Sequence, residues 1–364
     1  MRLPTVEDVA RSAQVSRQTV SNVINTPGRV RPATRERVEA AIEELDYRPN
    51  LSARRLRQRK SATLGIRLDP QLDGISGAVL DRFLHALTEQ ANERGLRVLL
   101  FTAATPADEI EQIRALRDGA DVDAFVLTAT VDHDPRPEWL IEHKIPFVTF
   151  GRPWGIDDLN DPQHRWVDVD GRLGVYNATL FLLDGGAERV AWIGWPRPTP
   201  TGDDRRSGWE DAMRERRGLS DAELASLCTE VVDDVAEATS AVAAMLSSGE
   251  MPDGMVCASD SLALGALIAA STAGRRDIPI IGFDDTPVAA ALGLSSVEQR
   301  LDQVAAGALA LLLGPVGDCV VAAKDLVVGP AHRLIKPALV IRRPQDLPVF
   351  DPSRIVGTAA DGQY

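Results

Sequence analysis

The chain has 364 residues, 44% of them hydrophobic, and a formal net charge of −13. This length and apolar content exceed the needs of one small core and indicate a multidomain globular protein. The sequence holds no run of eighteen apolar residues, and Arg2, Glu7 and Asp8 lie where a signal peptide requires an apolar segment. It therefore predicts neither membrane insertion nor secretion, and a cytoplasmic location is expected.

The charge is distributed unevenly along the chain. Residues 1–60 hold 13 Lys and Arg against 7 Asp and Glu, whereas the remaining residues hold 27 against 46. A basic N-terminal segment on an acidic body indicates a module that binds a polyanion, joined to a part that does not. On charge alone, the basic segment could equally be a solvated tail without a binding function.

Three short helices are predicted in the basic segment. The first begins after Thr5 and the second after Ser16, because Ser and Thr side chains can cap a helix, and the third begins near Pro32, which suits the first helical position. Apolar residues recur at helical spacing on each of them: Val6, Val9, Ala10 and Ala13, then Val20, Val23 and Ile24, then Val38, Ala41, Ile42 and Leu45.

The second helix, in "VSRQTVSNVIN", has a polar N-terminal end and only one charge. Its polar side chains, on Arg17, Gln18, Ser21 and Asn22, are predicted to point outward. Two short helices joined by a tight turn form a helix-turn-helix, in which Gln and Asn amides can bind adenine and Arg can bind guanine in the major groove. A three-helix bundle that does not bind DNA is the alternative interpretation.

The segment "YRPNLSARRLRQRKS" follows the third helix. Pro49 ends that helix, and Asn50 can cap a new one that runs to about Gln58. A helix of this length is marginal in water, so it is predicted to order only with a partner and DNA phosphates, as a hinge. A flexible basic linker remains open.

The stretches "TVEDVARSAQVSRQTVSNVIN", "RPATRERVEAAIEELDYRPN" and "SARRLR" resemble the DNA-binding head and hinge of the LacI/GalR family of bacterial transcription regulators, and the resemblance continues to about Arg343. It implies that the second helix reads the major groove while paired hinge helices enter the minor groove, with Leu56 as the wedge. The implied DNA contacts are Thr5, Ser16, Arg17, Gln18, Thr19, Ser21, Asn22, Asn25, Arg29, Asn50, Ala53, Arg54, Leu56 and Arg57.

Two positions of the head depart from the commonest family pattern. Asn22 stands where Arg is frequent on the recognition helix, and Arg31 replaces the usual small cap before Pro32. The operator sequence and the capping of the third helix therefore do not transfer from the family.

Beyond Ser61, β-rich runs alternate with helical stretches, from "TLGIRLD" to "IPIIGFDD". This alternation favours βαβ units and doubly wound parallel sheets. The family's periplasmic-binding-protein-like core implies two subdomains, with chain crossings at "WVDVDG" and "SSVEQ". The predicted divisions are the head 1–48, the hinge 49–61, an N-terminal subdomain 62–169 with 297–328, a C-terminal subdomain 170–296 with 329–343, and a flexible tail 344–364.

The body has no sequence pattern typical of an enzyme. No GxGxxG follows a strand, there is no Walker-type GK[ST], HExxH or nucleophile elbow, and the five histidines are scattered. Cys228, Cys257 and Cys319 lack metal-site spacing and are predicted to be buried thiols. The sequence therefore predicts no catalytic residue, no metal and no cofactor.

Polar residues at the predicted strand ends are the candidates for binding a small effector in the cleft. Arg205 in "GDDRRSGW" and Asp284 in "IGFDD" match the family's effector-binding arginine and aspartate, and Ser259 and Asp260 occupy a corner where many relatives bind ligand through Asn. Arg152 and Trp154 lie at another strand end. For each of them, an ordinary salt bridge, a helix cap or core packing remains possible.

The motifs "FGRPW", "WVDVDG", "IGWP" and "GDDRRSGW" together are similar to the cellobiose- and oligosaccharide-responsive branch of the family in high-GC bacteria. The resemblance implies a repressor released by a β-glucoside or short oligosaccharide. A regulator activated by a nucleobase, and a DNA-binding sugar-modifying enzyme, are the alternatives. The tail has no leucine heptads for a coiled coil, so a homodimer on a pseudo-palindromic operator is expected.

Overall fold

The computed structural model describes residues 4–25, 27–47, 61–68, 77–156, 158–248, 251–313 and 332–342, without the side chains of residues 25 and 27. The chain divides into two compact units, residues 1–61 and 62–364. The sequence predictions for the hinge helix, with Asn50, Ala53, Arg54, Leu56 and Arg57, and for the tail 344–364 fall outside the described residues.

The first unit contains the three predicted helices, α1 (Val6–Ser12), α2 (Arg17–Asn25) and α3 (Pro32–Glu44). Between α1 and α2 the chain turns at Gln14, whose φ is 53°, and the Val15 N–H donates to the Ala10 carbonyl at 3.0 Å. The apolar faces of the helices form one small core, made by Val9, Ala10, Ala13, Val20, Val23, Val38 and Ala41. The predicted helix-turn-helix is confirmed.

The helix ends follow the predicted capping chemistry. The Ser16 hydroxyl accepts from the Thr19 N–H at 3.1 Å at the start of α2. Helix α3 begins with Pro32, and its N-cap Arg31 makes no side-chain capping bond. The Arg31 side chain therefore does not cap α3. Pro32 favours the helix start instead, because proline has no backbone N–H that would need an acceptor.

In the second unit, strands and helices alternate along the chain. The strands are β1 (Thr63–Leu68), β2 (Arg97–Thr102), β3 (Ala124–Leu127), β4 (Phe147–Phe150), β5 (Trp166–Val169), β6 (Val190–Gly194), β7 (Cys228–Glu230), β8 (Gly254–Cys257), β9 (Ile280–Phe283), β10 (Ser295–Glu298), β11 (His332–Ile335) and β12 (Ala338–Val340). The helices are α4 (Gly77–Glu93), α5 (Pro106–Asp118), α6 (Pro135–Glu142), α7 (Gly171–Asp184), α8 (Pro200–Arg217), α9 (Asp221–Ser226), α10 (Val235–Ser247), α11 (Asp260–Thr272), α12 (Pro287–Leu292) and α13 (Leu301–Leu313).

The strands form two six-stranded sheets, ordered β11-β5-β4-β3-β1-β2 and β12-β10-β9-β8-β6-β7. All pairs are parallel except β10 with β12, which is antiparallel. In β3, Phe125 and Leu127 pack with residues of α5 and α6, whereas Ala124 and Val126 pack on the other face with residues of α4. Both faces of the first sheet are therefore covered, as a doubly wound fold requires.

In the described part of the core the chain crosses between the sheets three times, and two crossings differ from the predicted boundaries. The first crossing follows β5, as "WVDVDG" indicated. Strand β10 stays in the second sheet to Glu298, so the return comes two residues later than predicted. Strand β11 pairs with β5 in the first sheet, and only β12 joins the second. Assigning all of 329–343 to the C-terminal subdomain was wrong for residues 332–335.

Helices α7 and α8 pack at very close range. A Cβ on Gly208 of α8 would lie 2.1 Å from the Arg172 carbonyl oxygen of α7, so only glycine allows this approach. The contact fixes the position of α8, whose first turns face the space between the two subdomains.

Within the described residues, every helix is too short or too polar to cross a bilayer. Of the predicted buried thiols, Cys257 is fully buried, Cys228 is partly exposed, and Cys319 lies outside the described residues.

Candidate functional sites in the head and the cleft

The exposed end of α2 carries the predicted base-reading side chains. Arg17 and Gln18 are exposed, whereas Ser21 and Asn22 are half-buried rather than fully outward. Gln18 Nε2 donates to Asn22 Oδ1 at 3.0 Å, and Arg17 Nε lies 3.0 Å from a Glu7 carboxylate oxygen. Exposed contacts of this kind stabilise by about 1 kcal/mol or less, so DNA bases can replace them at low cost.

The other residues of the head that are predicted to contact DNA differ in exposure and in the hydrogen bonds they already make. Ser16 and Arg29 are exposed, while Thr5 and Thr19 are half-buried. The Thr5 N–H and hydroxyl both donate to the Asp8 carboxylate, at 2.9 and 2.7 Å, which caps α1. The side chain of Asn25 is not among those that the structure describes. Contacts of these residues with DNA stay predictions.

A cleft of about 470 Å³ lies between the two subdomains, at the carboxyl ends of strands from both sheets. This volume is typical of a site for a small molecule. The first subdomain contributes an apolar surface, and the second contributes α8. The lining consists of Leu68, Gly77, Val79, Leu80, Asp81, Leu84, Thr128, Ala129, Thr130, Phe150, Gly151, Arg152, Trp154, Asp168, Val169, Gly171, Thr201, Asp204, Arg205 and Gln299.

Arg205 lies in the wall formed by α8 and is only 6% exposed. Its guanidinium packs over the Phe283 ring, 3.7 Å from the centroid, and over Trp195 at 5.2 Å. Nη1 donates to the Ala258 carbonyl at 2.5 Å, whereas Nε has no acceptor among the described residues. Burial lowers the pKa of Arg205. The aromatic rings thus orient a guanidinium whose residue lines the cleft and whose buried Nε has no acceptor among the described residues.

Asp284 lies one layer behind the lining. It follows β9 with a φ of 111°, and its carboxylate accepts from Gln299 Nε2 at 2.5 Å. Arg205 Nη2 is 3.9 Å from the same oxygen. Burial raises the pKa of Asp284 to about 7, which the attraction to Arg205 only partly offsets. Gln299, which the sequence analysis missed, is the group that reaches the cleft from this position.

The pKa of Asp284 predicts a pH dependence of stability. Since the folded protein holds this proton more tightly than the unfolded chain, the stabilisation is complete below about pH 4 and is lost as pH rises through about 7. Asp284→Asn is expected to flatten this decline in urea melts between pH 4 and 8. Asp277→Asn is the control, because the exposed Asp277 has a lowered pKa beside Arg275. Equal slopes for the wild type and Asp284→Asn would contradict the assignment.

Ser259 and Asp260 do not line the cleft. Ser259 caps α11, where its hydroxyl accepts from the Leu262 N–H at 3.2 Å and donates to Asp233. Asp260 is 1% exposed and accepts from the Thr286 N–H and hydroxyl and from the Ser296 hydroxyl, at 2.6 to 2.8 Å. The structure therefore gives Asp260 a bracing role between α11, β10 and α12, contrary to the prediction of a ligand contact at this corner.

Arg152 and Trp154 line the cleft as predicted, and the structure adds two carboxylates beside them. Arg152 donates to Asp168 of β5 and to Asp204 of α8, and its guanidinium lies 4.8 Å from the Trp154 ring centroid. Burial raises the pKa of Asp168. Both aspartates are within quoted motifs, "WVDVDG" and "GDDRRSGW", but the sequence does not show that they converge on one arginine.

Comparisons with known proteins identify the families to which the two parts of the chain are similar. Residues 5–50 match the model of bacterial regulatory proteins of the lacI family, and residues 179–343 match the periplasmic binding protein-like domain. The HTH-type transcriptional regulator CelR of Thermobifida fusca is 33% identical over 297 residues, covering 79% of this chain and 84% of that protein. The chain belongs to the lacI family.

Other lacI-family members show the same extent of similarity. AglR of Rhizobium meliloti (strain 1021) is 32% identical over 284 residues, or 77% of each chain. The solved structure of a transcriptional regulator CelR–cellobiose complex has a TM-score of 0.66 and 27% identity, covering 94% of this chain and 100% of that one. Membership of the lacI family makes this protein a DNA-binding transcriptional regulator and not an enzyme.

Proposed function

We propose that this lacI-family regulator is a repressor that binds a pseudo-palindromic operator as a homodimer and is released by an uncharged sugar in the cleft. A β-glucoside or short oligosaccharide is the favoured effector. The observation that carries the proposal is the charge balance of the lining, which holds two arginines, Arg152 and Arg205, against the aspartates Asp81, Asp168 and Asp204.

This balance argues against a phosphorylated effector. A phosphate is bound where arginines, lysines or helix N-termini supply surplus positive charge. Both carboxylate oxygens of Asp204 already accept from Arg152, and Arg205 faces Asp284. Neutral hydroxyls, in contrast, suit a site where donors and acceptors alternate.

The mixture of apolar and polar groups in the lining supports a carbohydrate as the ligand. Leu80, Leu84, Phe150 and Trp154 offer apolar and aromatic surface, while Thr201, Arg205 and Gln299 offer polar groups. A sugar ring has an apolar face and a polar rim, so this combination fits it. The CelR–cellobiose complex shows that a similar protein binds a disaccharide, and we extend this to the present cleft.

A ligand screen with the full-length protein tests the proposal. Thermal shifts are measured with cellobiose, maltose, ribose, glucose 6-phosphate and hypoxanthine. We expect a concentration-dependent rise in Tm with an uncharged sugar, and release from operator DNA selected with the same protein. Stabilisation only by hypoxanthine, with tighter operator binding, would favour a corepressor. Stabilisation only by glucose 6-phosphate would refute the charge argument.

Gln18→Ala tests the proposed base readout. Removing a bidentate amide contact is expected to weaken binding to the selected operator by about 1–3 kcal/mol and to leave binding to random DNA nearly unchanged. Fluorescence anisotropy at fixed salt measures both affinities.

Arg29→Ala is the contrasting variant, since an exposed arginine beside the recognition helix is expected to contact phosphate and to lower both affinities alike. An equal loss on operator and random DNA with Gln18→Ala would show that Gln18 only positions the backbone.

A further inference from the structure

Two side chains from opposite walls of the cleft meet in a two-point ion pair. Arg152 follows β4 in the first subdomain, and Asp204 lies on α8 in the second. Nη1 and Nη2 of Arg152 donate to the two carboxylate oxygens of Asp204, at 3.1 and 2.9 Å. The side chains are only 16% and 14% exposed. This geometry is the fork-to-fork arrangement in which guanidinium and carboxylate bind most strongly.

Each partner is also anchored in its own wall. Arg152 Nε donates to Asp168 Oδ2 at 2.7 Å, and Nη2 donates to the Val169 carbonyl at 3.3 Å. Asp204 accepts from the Arg172 N–H at 3.1 Å, at the start of α7. Because four of the five N–H groups of Arg152 are engaged, it has little capacity left for an effector.

We propose that the Arg152–Asp204 pair is a tie that holds the two walls of the cleft together before any effector binds. The proposal concerns regulation of the effector site and rests on the proposed function for its biological meaning. It reassigns Arg152, predicted as an effector ligand, to a positioning role. The tie sets the effector affinity, since an effector that binds the closed form has an apparent Kd inversely proportional to the closed fraction.

A second contact across the same walls agrees with a closed ligand-free form. Arg82 of α4 donates to the backbone carbonyls of Asp284 and Asp285 in the second subdomain, at 3.2 and 2.7 Å. These two hydrogen bonds end on backbone carbonyls, so side-chain substitutions at Asp284 and Asp285 would not remove their acceptors. The Arg152–Asp204 pair, in contrast, joins two side chains, so substitutions on either side of the cleft can disrupt it.

The test measures closure in the ligand-free, full-length protein. Spin labels are placed on cysteines introduced at the exposed positions Glu142 of α6 and Thr272 of α11, one in each subdomain. Cys228 and Cys319 are replaced by alanine, and labelled chain is mixed with excess unlabelled chain. Arg152→Met and Asp204→Asn are each expected to lower the closed-to-open ratio about tenfold, as loss of a charge-assisted two-point contact predicts.

Three comparisons decide the outcome. The double variant should open the cleft little further than the single variants, because each disrupts the same two-point contact. Asp211→Asn, seven residues along α8, breaks the Arg172–Asp211 pair inside the second subdomain and should leave the distances unchanged. A wild-type distance distribution in both Arg152→Met and Asp204→Asn would overturn the tie, as would additive effects.

If Arg152→Met fails to fold, Arg152→Lys supplies the test. Lysine keeps the charge but not the fork, so a partial shift toward the open distance is expected, and no shift would overturn the proposal. Since no effector is present, failure of every sugar to bind would refute the proposed function without affecting this result. The spin-label distances can thus confirm the tie even if no sugar binds. Conversely, a sugar can bind even if the distances show no tie.

Discussion

Arg205→Met is expected to raise strongly the effector concentration that releases the protein from the operator, while leaving operator affinity unchanged. The substitution keeps an unbranched apolar stem but removes the guanidinium that packs over Phe283 and Trp195, and with it every donor. Loss of hydrogen bonds from a charged group costs about 1.5–3 kcal/mol, which is roughly a tenfold to hundredfold loss of effector affinity. Titrating the effector against labelled operator bound to the variant measures the loss.

The neighbouring residue supplies the control for Arg205. Arg206 pairs with Glu210 and Glu230, each at 2.8 Å, away from the cleft lining. Arg206→Met should therefore release operator at the wild-type effector concentration. Release of Arg205→Met at that concentration would show that Arg205 is not an effector ligand, and loss of operator binding without effector would show that it serves the fold.

The architecture of the head is readable in the sequence because its signals are local. Caps at Thr5 and Ser16 and the proline at position 32 lie within a few residues of the helices they start, and all three helices begin where these signals indicate. The apolar spacing also identifies the core residues, since i to i+3 and i+4 positions share one face of a helix. Long-range contacts are not needed for either inference.

The boundaries between the subdomains were less predictable. Strand β11 has only four residues, "HRLI", and its pattern of partial burial does not indicate which sheet it joins. Its place next to β5 depends on where the chain returns in space, which sequence periodicity does not encode. Strand β7 was missed because its three residues, "CTE", are too few to show an alternating pattern.

The cleft shows a third limit. Arg152 and Trp154, chosen from a strand end, and Arg205, chosen from the family resemblance, all line the cleft, but their effector contacts stay predictions. Their partners were not predictable, since Asp204 lies 52 residues from Arg152 in the chain. Whether a polar side chain binds a ligand or braces the fold depends on such partners, as the engaged carboxylate of Asp260 shows.

A buried charge cluster braces the first wall of the cleft. Arg136 of α6 is 1% exposed, and its Nη1 donates to Glu109 of α5 at 2.7 Å. Nη2 donates to Asp134 at 2.6 Å and to the carbonyls of Thr128 and Ala129, at 3.0 and 3.2 Å. Burial raises the pKa of Glu109, because the cost of removing its charge from water exceeds the stabilisation of that charge by Arg136 and Arg67. The cluster thus depends on Arg136 for both charge balance and backbone geometry.

Arg136→Met is expected to lower the free energy of unfolding of the core by about 3–5 kcal/mol, since it leaves buried carboxylates without their main counter-charge. Urea denaturation measures the change. Adding Glu109→Gln should recover part of the loss, because the charges left on Arg67 and Asp134 then balance. Arg114→Met on α5 removes an exposed pair with Glu111 and should cost about 1 kcal/mol or less.

The same variant links stability to the cleft. Thr128 and Ala129 line the cleft in which we propose that the effector binds, and Arg136 donates to their carbonyls. Under conditions where Arg136→Met remains folded, effector affinity should therefore fall although Arg136 does not line the cleft, and operator affinity should not. A double variant that is less stable than Arg136→Met would show that lost packing, not unbalanced charge, causes the destabilisation. Unchanged effector affinity would show that the loop after β3 keeps its conformation without the arginine.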